Sequence, residues 1–103
     1  MLYYMVTLKV KPGKVQDYME AFVSQRGPAL FEKHGVTLVG SWVTAVGEAN
    51  EVIAIHGYRD FEHLHSFWQT DDPELKALLA RAPEFLDGLT SKIIMPTPYS
   101  PIK

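Results

Sequence analysis

A chain of 103 residues, 47% hydrophobic and 21% charged, has the size and composition of one globular domain that needs no disulfide or metal staple. Ten Lys and Arg against twelve Asp and Glu leave a formal net charge of -2 with no basic stripe, which excludes the electrostatic footprint of a nucleic-acid binder. The absence of cysteine excludes disulfides, thiolate nucleophiles and Cys-type zinc sites, and it fits a reducing, cytoplasmic compartment.

In chain order, Leu2 to Val10 crowds β-branched, aromatic and aliphatic residues into a first strand. The segment has no basic leader and reaches Lys9 too soon for a signal peptide, and no apolar run approaches the roughly 18 residues that cross a bilayer. After Lys11-Pro12-Gly13-Lys14, the spacing of Val15, Tyr18, Met19, Phe22 and Val23 predicts an amphipathic helix, interrupted near Gly27-Pro28 and ending at Gly35. Val36 to Val43 and Val52 to Tyr58 predict an antiparallel hairpin across the turn Gly47-Glu48-Ala49-Asn50. Asp60 caps a second helix carrying Phe61, Leu64, Phe67 and Trp68, and Asp72-Pro73 reads as a fresh N-cap before Leu75, Leu78 and Leu79. Pro83 starts a short turn through Phe85, Leu86 and Leu89, and Lys92 to Met95 forms the last strand before Pro96, Pro98 and Pro101.

The order β-α-β-β-α-β is the ferredoxin-like, split-βαβ arrangement, an α+β domain over residues 1–103 with both helices on one face of an antiparallel sheet. Both parities of the strands are apolar: Tyr4, Val6, Leu8 and Val10 against Tyr3 and Met5, Trp42 and Leu38 against Val39 and Val43, Val52 and Ala54 against Ile53 and Ile55. A sheet wetted on one side would alternate with polar residues, so the second face calls for a cover, and another copy of the chain is the simplest one.

Four stretches resemble the NIPSNAP family in order along almost the whole chain. They are Tyr-x-x-x-x-Leu-Lys-x-Lys-Pro-Gly-Lys from Tyr3 to Lys14, Leu38-Val39-Gly40-Ser41-Trp42, Gly47-Glu48-Ala49-Asn50-Glu51-Val52, and Lys92-Ile93-Ile94-Met95-Pro96-Thr97-Pro98-Tyr99-Ser100-Pro101. The resemblance implies a dimeric α+β barrel in which two ferredoxin-like subunits pack sheet against sheet. It also exposes two departures. The family's third strand commonly carries an aromatic, often Trp, where this chain has His56 ahead of Tyr58. The wider barrel superfamily includes cofactor-free quinone-forming monooxygenases and haem-degrading enzymes, which typically place a functional His about three residues after the Leu matching Leu64. Phe67 stands there instead.

His56 is the leading candidate for chemistry, because an imidazole on a strand of Val, Ile and Ala must find a hydrogen-bond partner, in the core, at an interface or on a ligand. His63 and His65 point about 200° apart around a helix and cannot grip one metal together, and His34 before Gly35 suits a helix C-terminus. Trp42, Tyr58, Trp68 and Tyr4 join His56 as pocket candidates, although Tyr3 and all of these also suit a core or dimer interface. The acids Asp60, Glu62, Asp71, Asp72 and Glu74 fit helix N-termini. No serine lies in a nucleophile elbow, no phosphate loop or dinucleotide fingerprint occurs, and neither metal nor cofactor is expected. Three readings remain: a dimer that encloses a small apolar or aromatic molecule between sheet and helices, a cofactor-free oxidative or isomerising enzyme using His56 as base, and a purely structural or interaction dimer.

Overall fold

The computed structural model describes Met1–Lys103 in full. Its elements are β1 (Leu2–Val10), α1 (Val15–Ser24), α2 (Gly27–Lys33), β2 (Thr37–Val43), β3 (Glu51–Tyr58), α3 (Phe61–Trp68), α4 (Pro73–Ala80), the single turn α5 (Ala82–Phe85) and β4 (Leu86–Ile94). The strands form one antiparallel sheet in the order β2-β3-β1-β4, the ferredoxin-like arrangement the sequence predicts. No helix is long and apolar enough to cross a membrane.

The breaks in the helices follow local chemistry. Arg26 takes a left-handed backbone (φ 56°), which ends α1 and lets Pro28 sit in the first turn of α2. Gly35 closes α2 at φ 76°, a conformation that costs glycine nothing. Asp60 caps α3 by accepting from the His63 amide at 2.8 Å, and Asp72 caps α4 by accepting from the Glu74 and Leu75 amides.

Asp72 also ties two helices together, accepting from Lys33 Nζ at 3.0 Å and meeting His34 Nε2 at 2.8 Å, so the end of α2 is pinned to the start of α4. The hydrogen bond to His34, then that to Lys33, holds the Asp72 carboxyl well below the usual carboxylate range. Because the folded-state value is the lower one, this stabilisation is complete above the unfolded value of about 4 and fades as the pH falls below it. Asp72→Asn keeps a capping side chain but removes the titration. Its urea midpoint should therefore fall less steeply than that of the wild type between about pH 5 and pH 3.

Two expectations need correction. The last strand does not begin at Lys92: β4 starts at Leu86 and pairs with β1 along its whole length, from Val10 opposite Leu86 to Tyr3 opposite Ile94. Leu86 and Leu89 therefore belong to the strand and not to the preceding turn. Secondly, Leu38 and Trp42 do not share a sheet face. The register between β2 and β3 slips after Leu38, which pairs with His56, so that Gly40 pairs with Ile55 and Trp42 with Ile53. A bulge of one residue inverts every side chain beyond it.

One face of the sheet carries Val6, Leu8, Val10, Val52 and Ala54, all buried, and joins a second buried group formed by Leu2, Tyr58, Leu30, Phe31, Val36, Leu64, Phe67, Leu75 and Leu78. The helices lie on this side. On the opposite face the register aligns Tyr3, Met5, Ile53, Ile55, Trp42 and Ile94; Tyr3 is buried at 8% exposure, Met5, Ile53 and Ile55 are half-buried, and no helix packs on this side. Tyr3 lies against Gly57, where an added Cβ would meet Tyr3 Cε1 at 3.2 Å, and the Trp42 ring lies over Gly40 in the same manner. Trp42 is 52% exposed and Ile94 37%, so a large apolar surface meets solvent in the single chain.

Candidate functional site

The core divides into two buried clusters, and between them lies a cavity of about 450 Å³. Its floor is the helix-side face of the sheet, including Val6, Leu8, Val52 and Ala54; Tyr18, Met19 and Phe22 of α1, Leu78 and Leu79 of α4 and Phe85 of α5 form its roof. The sheet-facing side of α1 is only partly buried: Val15 and Tyr18 pack against the group of Val6, Leu8, Val10, Val52 and Ala54, and Phe22 packs against the other cluster. That helix has the amphipathic spacing of a core helix yet buries no residue fully, whereas Leu75 of α4 is 0% exposed. Tyr18 and Phe22 stack at 6.4 Å between ring centroids, and Tyr18 meets the edge of Phe85 at 6.2 Å, so the roof is built of aromatic contacts around the space.

Four of the five pocket candidates line this cavity: His56, Tyr58, Trp68 and Tyr4. Trp42 does not, because the β2 bulge turns it to the uncovered face. His56 stands on the cavity side of β3 directly across from Tyr4, at 8% exposure, with its ring 4.7 Å from that of Phe31. Burial pushes its pKa down to about 4, so the imidazole is neutral near pH 7 and offers one donor and one acceptor. Tyr58, two residues further along the same face, is 1% exposed, and its hydroxyl is buried without a hydrogen-bond partner. Burial, and secondarily the phenol of Tyr4, pushes the Tyr58 pKa up, keeping the hydroxyl a donor.

The other histidines have structural work. The Arg59 amide donates to His63 Nδ1 at 3.0 Å and His63 Nε2 donates to the His34 carbonyl at 2.8 Å, which fixes the neutral tautomer and satisfies both nitrogens. His34 is the C-cap of α2 and reaches Asp72; His65 is exposed on α3. His63 and His56 are the chain's two buried polar residues, and the hydrogen bonds that hold His63 have no counterpart at His56. Phe67 is buried at 3% exposure against Phe31, His34, Tyr58 and Trp68 and does not line the cavity.

Sequence reasoning did not single out Tyr18, Gln25 or Arg81, which also line the cavity. Tyr18 carried a signal in its i, i+4 spacing to Phe22, but core packing gives the same signal. Arg81 carried none. It donates to Glu84 at 2.9 and 3.3 Å and to Gln25 at 2.9 Å, and lies over the Phe85 ring at 5.3 Å, a contact set assembled only by the fold.

Fold and cavity together define a ferredoxin-like α+β domain with an apolar chamber under its helices. The chain belongs to the NIPSNAP family, whose model matches residues 3–101. Among solved structures it is similar to a NIPSNAP domain protein from Burkholderia xenovorans, with 24% identity, a TM-score of 0.87 and coverage of 98% of this chain and 99% of that one. A NIPSNAP family protein from Agrobacterium tumefaciens gives 21% identity, a TM-score of 0.86 and coverage of 99% and 98%. An antibiotic biosynthesis monooxygenase is more distant, at 12% identity, a TM-score of 0.72 and coverage of 95% and 100%. These likenesses concern the fold. No curated protein matches the sequence.

Proposed function

We propose that this protein is a homodimeric binding module, cytoplasmic as its cysteine-free composition favours, that encloses a small apolar or aromatic molecule between its sheet and helices. The observation that carries this reading is the cavity of about 450 Å³, a size suited to a small organic molecule, with twenty of its twenty-five lining residues hydrophobic and with His56 and Tyr58 in its wall. A protein interior is ordinarily close-packed, and an apolar space of this size forgoes contacts that an occupant would restore. The uncovered face with Met5, Ile53, Ile55 and Trp42 supports a second copy as its cover, since a C2 pair buries one self-complementary patch against itself.

The enzymatic alternative uses His56 as a general base. A base works best with a pKa near the working pH, and burial takes His56 down to about 4, which weighs toward binding. A purely structural dimer would leave the cavity without purpose.

Two measurements test the proposal. Sedimentation at low micromolar concentration should give about twice 11.6 kDa, and Ile55→Glu, which places a charge at the centre of the uncovered face, should give the monomer. A monomeric wild type overturns the dimer. The polarity-sensitive dye prodan should brighten with the wild type and not with Ala54→Phe, whose added ring occupies the cavity floor; equal brightening would place the dye elsewhere and sink the cavity reading.

A further inference from the structure

The charge on the cavity wall limits what can enter it. Of all the lining residues only Arg81 carries a formal charge near neutral pH, and its guanidinium is already engaged by Glu84 and Gln25. A ligand carboxylate that reached Arg81 would meet a guanidinium whose charge Glu84 already balances. Deeper in the cavity an anion would leave water for a wall with no counter-charge, a transfer that is heavily penalised. The remaining polar side-chain groups are neutral: an imidazole, phenols, the Trp68 indole N–H, one serine hydroxyl and one amide. Two of them are unsatisfied in a way that points to an oxygen. His56 is 8% exposed and lacks the partners that His63 has, and the Tyr58 hydroxyl on the same strand face is a buried donor with no acceptor. A buried polar atom without a partner is rare in a native structure; the Tyr58 hydroxyl is one, and the imidazole of His56, which no hydrogen bond in the chain engages, stands on the same strand face in the cavity wall.

We propose that the cavity selects an uncharged, mainly hydrocarbon molecule bearing a carbonyl or hydroxyl oxygen that is set against His56, and that it rejects carboxylates and phosphates of the same shape. This inference rests on the cavity-binding reading above and adds to it the polarity and charge of the occupant. A neutral imidazole serves either oxygen, donating to a carbonyl or accepting from a hydroxyl. Tyr4, directly across from His56 on the neighbouring strand, lines the same part of the space.

Three probes of similar shape separate the possibilities: naphthalene, the neutral ketone 2-acetylnaphthalene and the anion 2-naphthoate, each titrated into the full chain at about pH 7, where 2-naphthoate is ionised and His56 is neutral. The ketone should bind roughly tenfold or more tightly than the carboxylate, and several-fold more tightly than naphthalene. His56→Phe should bring the ketone down to the affinity of naphthalene while leaving naphthalene bound, and His56→Leu provides the same comparison if the Phe variant folds poorly. Arg81→Gln should leave the weak binding of naphthoate unchanged. Naphthoate binding as tightly as the ketone, and weakening with Arg81→Gln, would overturn the proposal in favour of an anion site. Naphthalene binding as tightly as the ketone would overturn the oxygen contact while preserving the cavity reading; binding of none of the three would overturn both.

Discussion

Lowering the pH from 7 to 5 should destabilise the folded chain by about 2 kcal/mol through His56 alone, and His56→Phe should remove that part of the slope. The sign follows from proton counting. The unfolded chain takes up a proton at His56 as the pH falls through about 6.5, while the folded chain resists until about 4, because charging the ring would put an imidazolium among apolar side chains. Between those values the unfolded state binds more protons, so stability falls as the pH falls. The stabilisation is complete above about 6.5 and its loss is complete once the folded state also titrates, below about 4. Denaturant melts of the two proteins at matched concentration at about pH 7 and pH 5 provide the check. Parallel losses in both would show that His56 is already charged, or solvated, in the folded state. Near neutral pH the Phe variant should be of similar stability, since the exchange roughly conserves volume and His56 has no partner in the chain to strand.

Phe67→Ala should cost about 3 to 5 kcal/mol, the range for truncating a buried aromatic. The residue is 3% exposed, with ring centroids 5.0 Å from Phe31, 5.6 Å from Tyr58 and 5.5 Å from Trp68. Such a loss is a large share of the roughly 5 to 15 kcal/mol that stabilises an ordinary domain, and the variant should melt far below the wild type or fail to accumulate. A thermal melt within a few degrees of the wild type would mean that the aromatic cluster is not the anchor of α3. The contrast with His56 is useful. Removing Phe67 should strongly destabilise the fold with or without ligand, whereas removing His56 should alter pH dependence and recognition in a molecule that still folds.

Much of the architecture was legible because local chemistry and global pattern agree. Asp60, Asp72-Pro73 and Gly35 announce helix boundaries by capping chemistry, whereas the strands, apolar on both parities, leave open which row faces the helices. The first half of β4 was not legible, because Asp87-Gly88 and Thr90-Ser91 have the composition of a turn; only pairing with β1 makes them a strand. Trp42 was misplaced for a related reason, since the bulge after Leu38 is a property of register, and its one local sign is Gly40 inside the strand. At the site, His56 stood out as a polar break in an apolar strand, and the structure places it on the cavity wall. The cavity itself left no trace in the sequence. Tyr18 and Phe22 have the same spacing whether their rings fill a core or border a space, and the difference lies in how completely α1 is buried by its neighbours.

The central claim is that the space beneath α1 holds a small apolar molecule. Native mass spectrometry of protein purified without denaturant or organic solvent tests it most directly, with Ala54→Phe alongside. The account predicts wild-type protomers carrying a discrete organic mass that solvent extraction removes, and bare protomers for Ala54→Phe. Bare polypeptide in both would contradict it.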